Sequence, residues 1–258
     1  MNAKRALVTG ASSGIGHVFS KQLAKEDFFI TCVARSEEKL QHVVQELGEG
    51  HKYMAADLTD PAQLAHVEQE LDKTKYDLLI NNAGYAIYQR FDDAPLEKHE
   101  NLMFLNMNAL VRLSYQFLKS AVSGDALINV SSALSRLSYP GGAVYCGTKG
   151  FVTCFTESLW YEHKDKGVYV MALLPGLTLT NFHKVAFSGR PGELPQKLAY
   201  PPEVVVSEAL QILKKRRLPS FISGPRYRFM AALASRLLSR KKIIEMMGKS
   251  NPALKSVR

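Results

Sequence analysis

Short apolar runs alternate with amphipathic helical patterns along most of the chain, and this alternation restricts the fold more than any other feature. The β-prone runs lie at residues 5–9, 28–34, 51–56, 77–80, 125–130 and 168–174. Neighbouring parallel strands need a crossover between them, and the helical patterns supply one each time. The alternation therefore predicts an α/β fold, with one doubly wound parallel sheet and helices on both faces. No linker or internal repeat divides it.

The overall composition is that of an ordinary globular protein. The 258 residues allow one large domain, and 46% hydrophobic with 22% charged residues is typical of a soluble chain. The first residues show no signal peptide, and no apolar stretch reaches the ~18 residues of a membrane span. Three cysteines, an odd number without metal-ligand spacing, favour free thiols in a reducing compartment. We therefore expect a cytoplasmic protein without a metal site.

The formal charge of +9 is unevenly distributed along the chain. Residues 209–258 contain 13 Lys or Arg against one acid, Glu245, whereas the remaining residues carry 20 bases and 23 acids. The basic character therefore belongs to the C-terminal segment, and the body gives no electrostatic reason to expect a nucleic-acid partner. The tail also lacks the interleaved aromatic residues of a base-stacking surface.

A glycine-rich segment follows the first predicted strand and leads into a helical pattern. Glycines at such a turn let the backbone approach a pyrophosphate, whose charge is stabilised by the helix N-terminus. The candidate cofactor residues in this segment are Gly10, Ser12, Ser13, Gly14, Ile15 and Gly16.

Polar residues at the ends of later strands extend the predicted cofactor site. Arg35 follows the second strand, where an Arg accommodates the 2′-phosphate of NADP(H); the alternative is a solvated Arg that opens the helix at 36–47. Asp57, followed by Leu58, ends the third strand and is placed to reach an adenine edge, or is a strand-end turn residue. The turn after the fourth strand either holds the loop beside the cofactor or is a simple turn; its candidates are Asn82, Ala83 and Gly84.

A tyrosine and a lysine four residues apart suggest catalysis. Tyr145 and Lys149 share one face of a predicted helix. A phenol has a pKa of ~10, and a nearby ammonium stabilises the phenolate, so we expect Lys149 to lower the pKa of Tyr145. Tyr145 is then a candidate general acid or base; taken alone, the two residues could also be a helix-surface pair. Asn106 and Asn108 interrupt the helical pattern at 96–120, and one of them has a task beyond helix formation.

Taken together, these motifs resemble the short-chain dehydrogenase/reductase family in its compact form, over residues 5–218. The glycine segment is similar to the family's cofactor motif, and residues 81–84 to its sheet-stabilising motif. Ser132 precedes Tyr145 by 13 residues, which is the family's spacing. The turn after the sixth strand resembles the one that contacts the nicotinamide and adds Pro175, Gly176, Thr178 and Thr180 as candidate cofactor residues.

The resemblance implies a Rossmann fold and a catalytic tetrad of Asn106, Ser132, Tyr145 and Lys149. Asn106 fits the family pattern better than Asn108 because a small residue follows it three positions on. NADPH would deliver a hydride to a ketone or aldehyde carbon while Tyr145 supplies the proton. Ser132 would hold the oxygen, Lys149 would contact the nicotinamide ribose, and Asn106 would hold a water in the proton relay. Ser131 is interpreted as structural.

The implied protein is an NADP(H)-dependent oxidoreductase that reduces a carbonyl or oxidises the corresponding alcohol. NADP(H) is preferred over NAD(H), and the expected partner is a small-molecule carbonyl or alcohol. A homodimer or homotetramer is compatible with the family. The alternative function is an NADPH-binding sensor or scaffold without turnover, although a pure binding protein has no need for the whole tetrad.

Two segments depart from the family pattern. Residues 181–200 occupy the place of a mobile substrate lid, and their apolar residues either indicate a hydrophobic substrate, such as a 3-ketoacyl, lipid or steroid-like ketone, or pack on the body. These residues are Phe182, Val185, Phe187 and Leu194. Residues 225–258 form a basic amphipathic extension to the domain at 1–224, predicted as a helix. It packs on the domain, binds a partner, or makes peripheral membrane contact through 225–247.

Overall fold

The computed structural model describes residues 4–187 and 198–254, and for residues 232–237 it describes the backbone alone. Seven parallel strands form one sheet in the order β3-β2-β1-β4-β5-β6-β7. The strands are β1 (Arg5–Thr9), β2 (Phe29–Ala34), β3 (Lys52–Ala55), β4 (Leu78–Asn81), β5 (Ala126–Val130), β6 (Tyr169–Leu174) and β7 (Ser220–Ile222). The order reverses between β1 and β4, where doubly wound sheets open a crevice at the carboxyl ends of their strands. The predicted Rossmann-type sheet is confirmed.

Helices cover both faces of the sheet, as predicted. Their bounds are α1 (Gly14–Ala24), α2 (Glu37–Leu47), α3 (Pro61–Lys73), α4 (Leu96–Met103), α5 (Leu110–Ser120), α6 (Ala143–His163), α7 (Phe182–Ala186), α8 (Pro202–Lys215), α9 (Pro225–Leu237) and α10 (Arg240–Ser250). One apolar core joins the sheet to α1 and α8 through Phe19 and Val206. The second core joins it to α3 and α5 through Leu64 and Phe117. Alternating strand residues point to opposite faces, so each strand contributes to both cores.

Local sequence signals account for several helix boundaries. Ser36 caps α2 by accepting a hydrogen bond from the Lys39 amide. Asp60 caps α3 by accepting hydrogen bonds from the amides of Ala62 and Gln63, and Pro61 occupies the first helical position. The chain is helical over the whole of 96–120, but a π-helical turn at Phe104–Ala109 separates α4 from α5. That turn contains Asn106, and π-turns inside helices are frequent at functional sites.

The C-terminal extension is two helices rather than the single helix that its amphipathic pattern predicted. The chain breaks between α9 and α10 because Ser239 adopts extended backbone and caps α10, accepting a hydrogen bond from the Lys242 amide. The extension is attached to the body at both ends. Arg228 pairs with Glu208 on α8 at 3.1 Å, and the side chain of Asn251 donates to the Pro140 carbonyl at 2.7 Å.

Among the residues that the structure describes, every helix is too short or too polar to cross a lipid bilayer.

Candidate active site

A cleft of about 2050 Å³ runs along the carboxyl ends of the strands. It begins beside the turn between β1 and α1, passes Tyr145 and ends against α9 and α10. Pockets for one drug-sized ligand are roughly 300–1,000 Å³, so this cleft has room for a dinucleotide and a second ligand together.

The glycine turn is built for close approach of a ligand to the backbone. Gly10 has a φ of +65°, and a Cβ there would lie 2.7 Å from the side-chain nitrogen of Asn82. Asn82 donates to the carbonyl oxygens of Thr9 and Gly10, at 2.9 and 3.3 Å. A Cβ on Gly16 would overlap the Gly10 carbonyl oxygen, so that helix α1 starts directly against the turn. This cradle fits a pyrophosphate at the start of α1.

Most of the predicted cofactor residues line the cleft near this turn. The group consists of Gly10, Ser12, Ser13, Gly14, Ile15, Leu58, Asn82, Ala83 and Gly84. Gly16 is the exception, because it is buried behind the turn and serves the packing of α1 instead. The Thr9 hydroxyl accepts hydrogen bonds from the backbone amides of Asn82 and Ala83, at 2.9 and 3.0 Å. The loop after β4 is thereby held against the glycine turn.

Two basic side chains border the far end of the cleft. The Arg35 side chain is 79% exposed, and its guanidinium lies 4.0 Å from the carboxylate of Asp57. Lys39, in the first turn of α2, lines the same end and was not predicted from the sequence. The available signal was its place in the first turn of the helix that follows Arg35. A phosphate group at this end would meet two cations.

Tyr145, Ser132 and Lys149 come together in the middle of the cleft, and each is at most 8% exposed. The Lys149 ammonium donates to the Val130 carbonyl at 2.8 Å and lies 5.9 Å from the centre of the Tyr145 ring. Burial lowers the pKa of Lys149 to about 8. The end of β5 and the first two turns of α6 thus bring these three side chains together.

The net pKa shift of Tyr145 is opposite to the one expected from Lys149 alone. The pKa of Tyr145 is raised above its ordinary value because burial penalises the phenolate, and the hydrogen bond from Ser132 only partly offsets that penalty. The phenol therefore keeps its proton at neutral pH, which is the state that a proton donor needs.

The structure separates the two asparagines of the π-turn region. Asn106 is 1% exposed, whereas Asn108 is exposed on the surface. The Asn106 side chain accepts from the Tyr85 amide at 3.2 Å and donates to the Tyr85 carbonyl and the Thr148 hydroxyl, both at 3.1 Å. It therefore joins the loop after β4 to helix α6, next to the catalytic candidates, without lining the cleft itself.

Ser131 lines the cleft beside Ser132, but its hydroxyl is buried and bonded within the protein. Its hydroxyl donates to the Lys149 carbonyl at 2.8 Å and shares a hydrogen bond with the Thr153 hydroxyl at 2.7 Å. These bonds tie the end of β5 to α6.

The turn after β6 closes over the opposite side of the cleft. Its members Pro175, Gly176, Thr178 and Thr180 all line the cleft. The Thr178 hydroxyl donates to the Gly176 carbonyl at 3.0 Å, which stabilises the turn. The methyl group of Thr180 lies near Gly14, so this turn and the glycine turn face each other across the space for a cofactor.

Beyond Tyr145 the walls become apolar. Phe182 on α7 packs with its ring centre 5.8 Å from that of Tyr145, and Phe187 is buried in the same cluster. The α10 side chains Ile243, Ile244 and Met247 line this end as well. Of the four apolar lid residues, Val185 is exposed, and Leu194 lies outside the described residues. Sequence reasoning did not assign the α10 residues to the cleft, because amphipathicity does not say which surface a helix covers.

Comparison with known proteins agrees with this geometry. The family model for short chain dehydrogenases matches residues 4–190. A 7beta-hydroxysteroid dehydrogenase from Mediterraneibacter gnavus is 31% identical over 85% of this chain and 86% of its own. A very-long-chain 3-oxoacyl-CoA reductase from Bos taurus is 32% identical over 70% of this chain and 61% of its own. A short-chain dehydrogenase from Sphingobium yanoikuyae, solved in complex with NADPH, is 31% identical and superposes with a TM-score of 0.79, covering 90% of this chain and 93% of its own. The chain belongs to the short-chain dehydrogenase family.

Proposed function

We propose that this protein is an NADP(H)-dependent carbonyl reductase that acts on an apolar ketone or aldehyde. The observation that carries the proposal is the position of Tyr145. Its phenol lies with Ser132 and Lys149 between a cradle suited to a dinucleotide and an apolar cavity suited to a second ligand.

In the proposed mechanism, a bound nicotinamide supplies the hydride to the carbonyl carbon. Tyr145, protonated at neutral pH, donates its proton to the carbonyl oxygen as negative charge develops there. The Ser132 hydroxyl donates a hydrogen bond to the same oxygen and orients it. Lys149 would hold the nicotinamide ribose, and its positive charge would stabilise the phenolate left after proton transfer. Asn106 fixes α6 against the loop after β4, and the family resemblance gives it the water through which the proton would be replaced.

The preference for NADP(H) rests on the basic end of the cleft. The guanidinium of Arg35 is exposed and its nearest carboxylate, on Asp57, is 4.0 Å away, so the cation is free to pair with a 2′-phosphate. Lys39 adds a second cation beside it. A cofactor that lacks the 2′-phosphate would offer these two cations no phosphate to pair with at this end of the cleft.

An apolar substrate is favoured by the wall beyond Tyr145. That wall contains Phe182, Ile244 and Met247, and burial lowers the pKa of its His183 to about 4, so the histidine adds no charge at neutral pH. The similar proteins named above act on a hydroxysteroid and on very-long-chain 3-oxoacyl-CoA. We therefore place the substrate among steroid-like or long-chain acyl ketones.

The test is NADPH oxidation, followed by absorbance, against ketones that range from small diketones to 3-ketoacyl thioesters and ketosteroids. Tyr145→Phe removes the proton donor and should reduce kcat by at least ~10²-fold, with little change in NADPH affinity measured by fluorescence titration. Tyr161→Phe is the matched control, because Tyr161 lies on the same helix but is 64% exposed, and it should keep wild-type turnover.

Retained turnover in Tyr145→Phe would refute the assignment. Tight NADPH binding by the wild-type protein without turnover on any ketone would instead favour a cofactor-binding sensor or scaffold.

A further inference from the structure

The mouth of the cleft is bordered by apolar side chains that stay exposed to solvent. We call this set the apolar rim; it consists of Val185, Leu198, Met230, Leu238 and Met246, all of which line the cleft. Their exposed fractions lie between 36% for Leu238 and 61% for Val185. Single exposed apolar residues are normal on proteins, but five around one opening mark a contact surface.

The chain on the α9–α10 side of the rim is strongly basic. Residues 225–254 contain seven Lys or Arg and a single acid, Glu245. Arg240 itself lines the cleft mouth, and Lys242 is exposed on the first turn of α10. On the other side of the mouth, Lys184 is exposed next to Val185. Exposed apolar side chains bordered by cations fit a surface that is negatively charged outside and apolar a few ångströms deeper.

The rim is continuous with the substrate end of the cleft. Behind Met246 and Leu238, the half-buried side chains of Ile243, Ile244 and Met247 line the path inward. Met247 packs in the same cluster as Tyr145. An apolar molecule that enters at the rim therefore meets an apolar wall as far as the proposed proton donor.

We infer that the apolar rim is a docking surface for an anionic lipid bilayer, onto which the substrate end of the cleft opens. The cations around it bring the protein to the headgroups, and the rim side chains enter the boundary between headgroups and acyl chains. Transfer of an apolar ketone from the bilayer into the cleft rests on the proposed reductase function, but docking does not. Docking can therefore be measured without substrate or turnover.

The experiment is co-sedimentation of the full chain with vesicles, either of phosphatidylcholine alone or of phosphatidylcholine mixed with one-third phosphatidylserine. We expect binding to the anionic vesicles to be at least tenfold tighter, and to weaken as salt rises from low to physiological concentration. Arg240→Gln with Lys242→Gln should weaken binding about 25-fold, at roughly fivefold per cation near the surface. Met230→Ser with Met246→Ser should weaken it at least tenfold while leaving the charge unchanged.

Matched controls lie on α3 and α5, outside the cleft. Lys73→Gln with Lys119→Gln removes two exposed cations, and Tyr115→Ser removes an aromatic residue that is 66% exposed; both should bind vesicles as the wild type does. Equal binding to both vesicle types would overturn the proposal, and so would unchanged binding in Arg240→Gln with Lys242→Gln or in Met230→Ser with Met246→Ser. So would a concentration-dependent dimer, seen by light scattering, that Met230→Ser with Met246→Ser abolishes, because a second copy would then occupy the rim.

Discussion

Arg35 is the residue on which the choice of cofactor depends in the proposed function. We expect Arg35→Asp to weaken NADPH binding by about 10- to 100-fold and to leave NADH binding unchanged or improved, because a carboxylate repels a 2′-phosphate and accepts from a 2′-hydroxyl. The measurement is the dissociation constant of each cofactor by fluorescence titration.

The same titration on Lys39→Gln separates the two cations at that end of the cleft. We expect a smaller loss of affinity than in Arg35→Asp, confined to NADPH, since Lys39 is a point charge without the planar guanidinium of Arg35. Equal losses for NADPH and NADH in Arg35→Asp would show damage to the fold instead of lost phosphate recognition.

Individual site residues could be predicted from the sequence where a motif fixes both identity and spacing. Ser132, Tyr145 and Lys149 were predicted in this way, and the structure places them together in the cleft at the end of β5 and the start of α6. The pKa of Tyr145 could not be predicted, because it depends on how completely the phenol is buried. Lys39 was missed since a lysine in a first helical turn is usually just a solvated residue.

At the scale of elements, a side chain that follows α10 connects the C-terminal helices to the start of α6. Asn251 follows α10, is fully buried and donates to the Pro140 carbonyl at 2.7 Å. Pro140 lies two residues before Gly142, the N-cap of α6, whose carbonyl accepts from the Cys146 amide. The position of α10 over the substrate end is thereby fixed relative to Tyr145.

Removing this connection should affect the substrate more than the cofactor. Asn251→Ala leaves the half-buried Pro140 carbonyl without this donor, at a cost of about 1 kcal/mol in unfolding free energy, and releases the α10 wall. We expect KM for the apolar ketone to rise about tenfold, with the NADPH dissociation constant unchanged. Asn101→Ala on α4, where the asparagine is exposed, is the control. Parallel loss of both affinities would mean that the variant unfolds more widely.

Elements buried within the sheet were predictable, and those at its margin were less so. The central strands are buried along their whole length and mostly apolar because both faces are covered, so their bounds agree with the predicted runs within one or two residues. Strand β7 has three half-buried residues at the sheet edge, too few to give a pattern. The break at Ser239 was missed because the apolar periodicity continues across it, and the π-turn at Phe104–Ala109 has no sequence signal of its own.

At the scale of the whole molecule, the polar and apolar ends of the cleft are supplied by different parts of the chain. The cradle for the cofactor comes from the ends of β1, β2 and β4, which belong to the most regular part of the sheet. The apolar end comes from α7, α9 and α10, which follow the last central strand. Substrate choice can therefore change through the C-terminal helices without disturbing cofactor binding, and the proposed membrane contact lies on those same helices.

The free energy of unfolding of the whole molecule should depend on pH because Lys149 is buried. Its pKa falls from 10.5 in the unfolded chain to about 8 in the folded one, so the unfolded chain binds more protons between these values. Folding is then penalised fully below pH 8, and the penalty decreases as pH rises towards 10.5.

Lys149→Met removes the penalty, so the unfolding free energy of the variant should exceed that of the wild type by more at pH 7 than at pH 9. We expect that difference in unfolding free energy, from urea titration without cofactor, to shrink by about 1 kcal/mol between pH 7 and pH 9. The contributions of the tyrosines and cysteines that both proteins share cancel in this difference. A difference that stays constant with pH would mean that the Lys149 ammonium is not desolvated, which would also remove the physical basis for its effect on a phenolate at Tyr145.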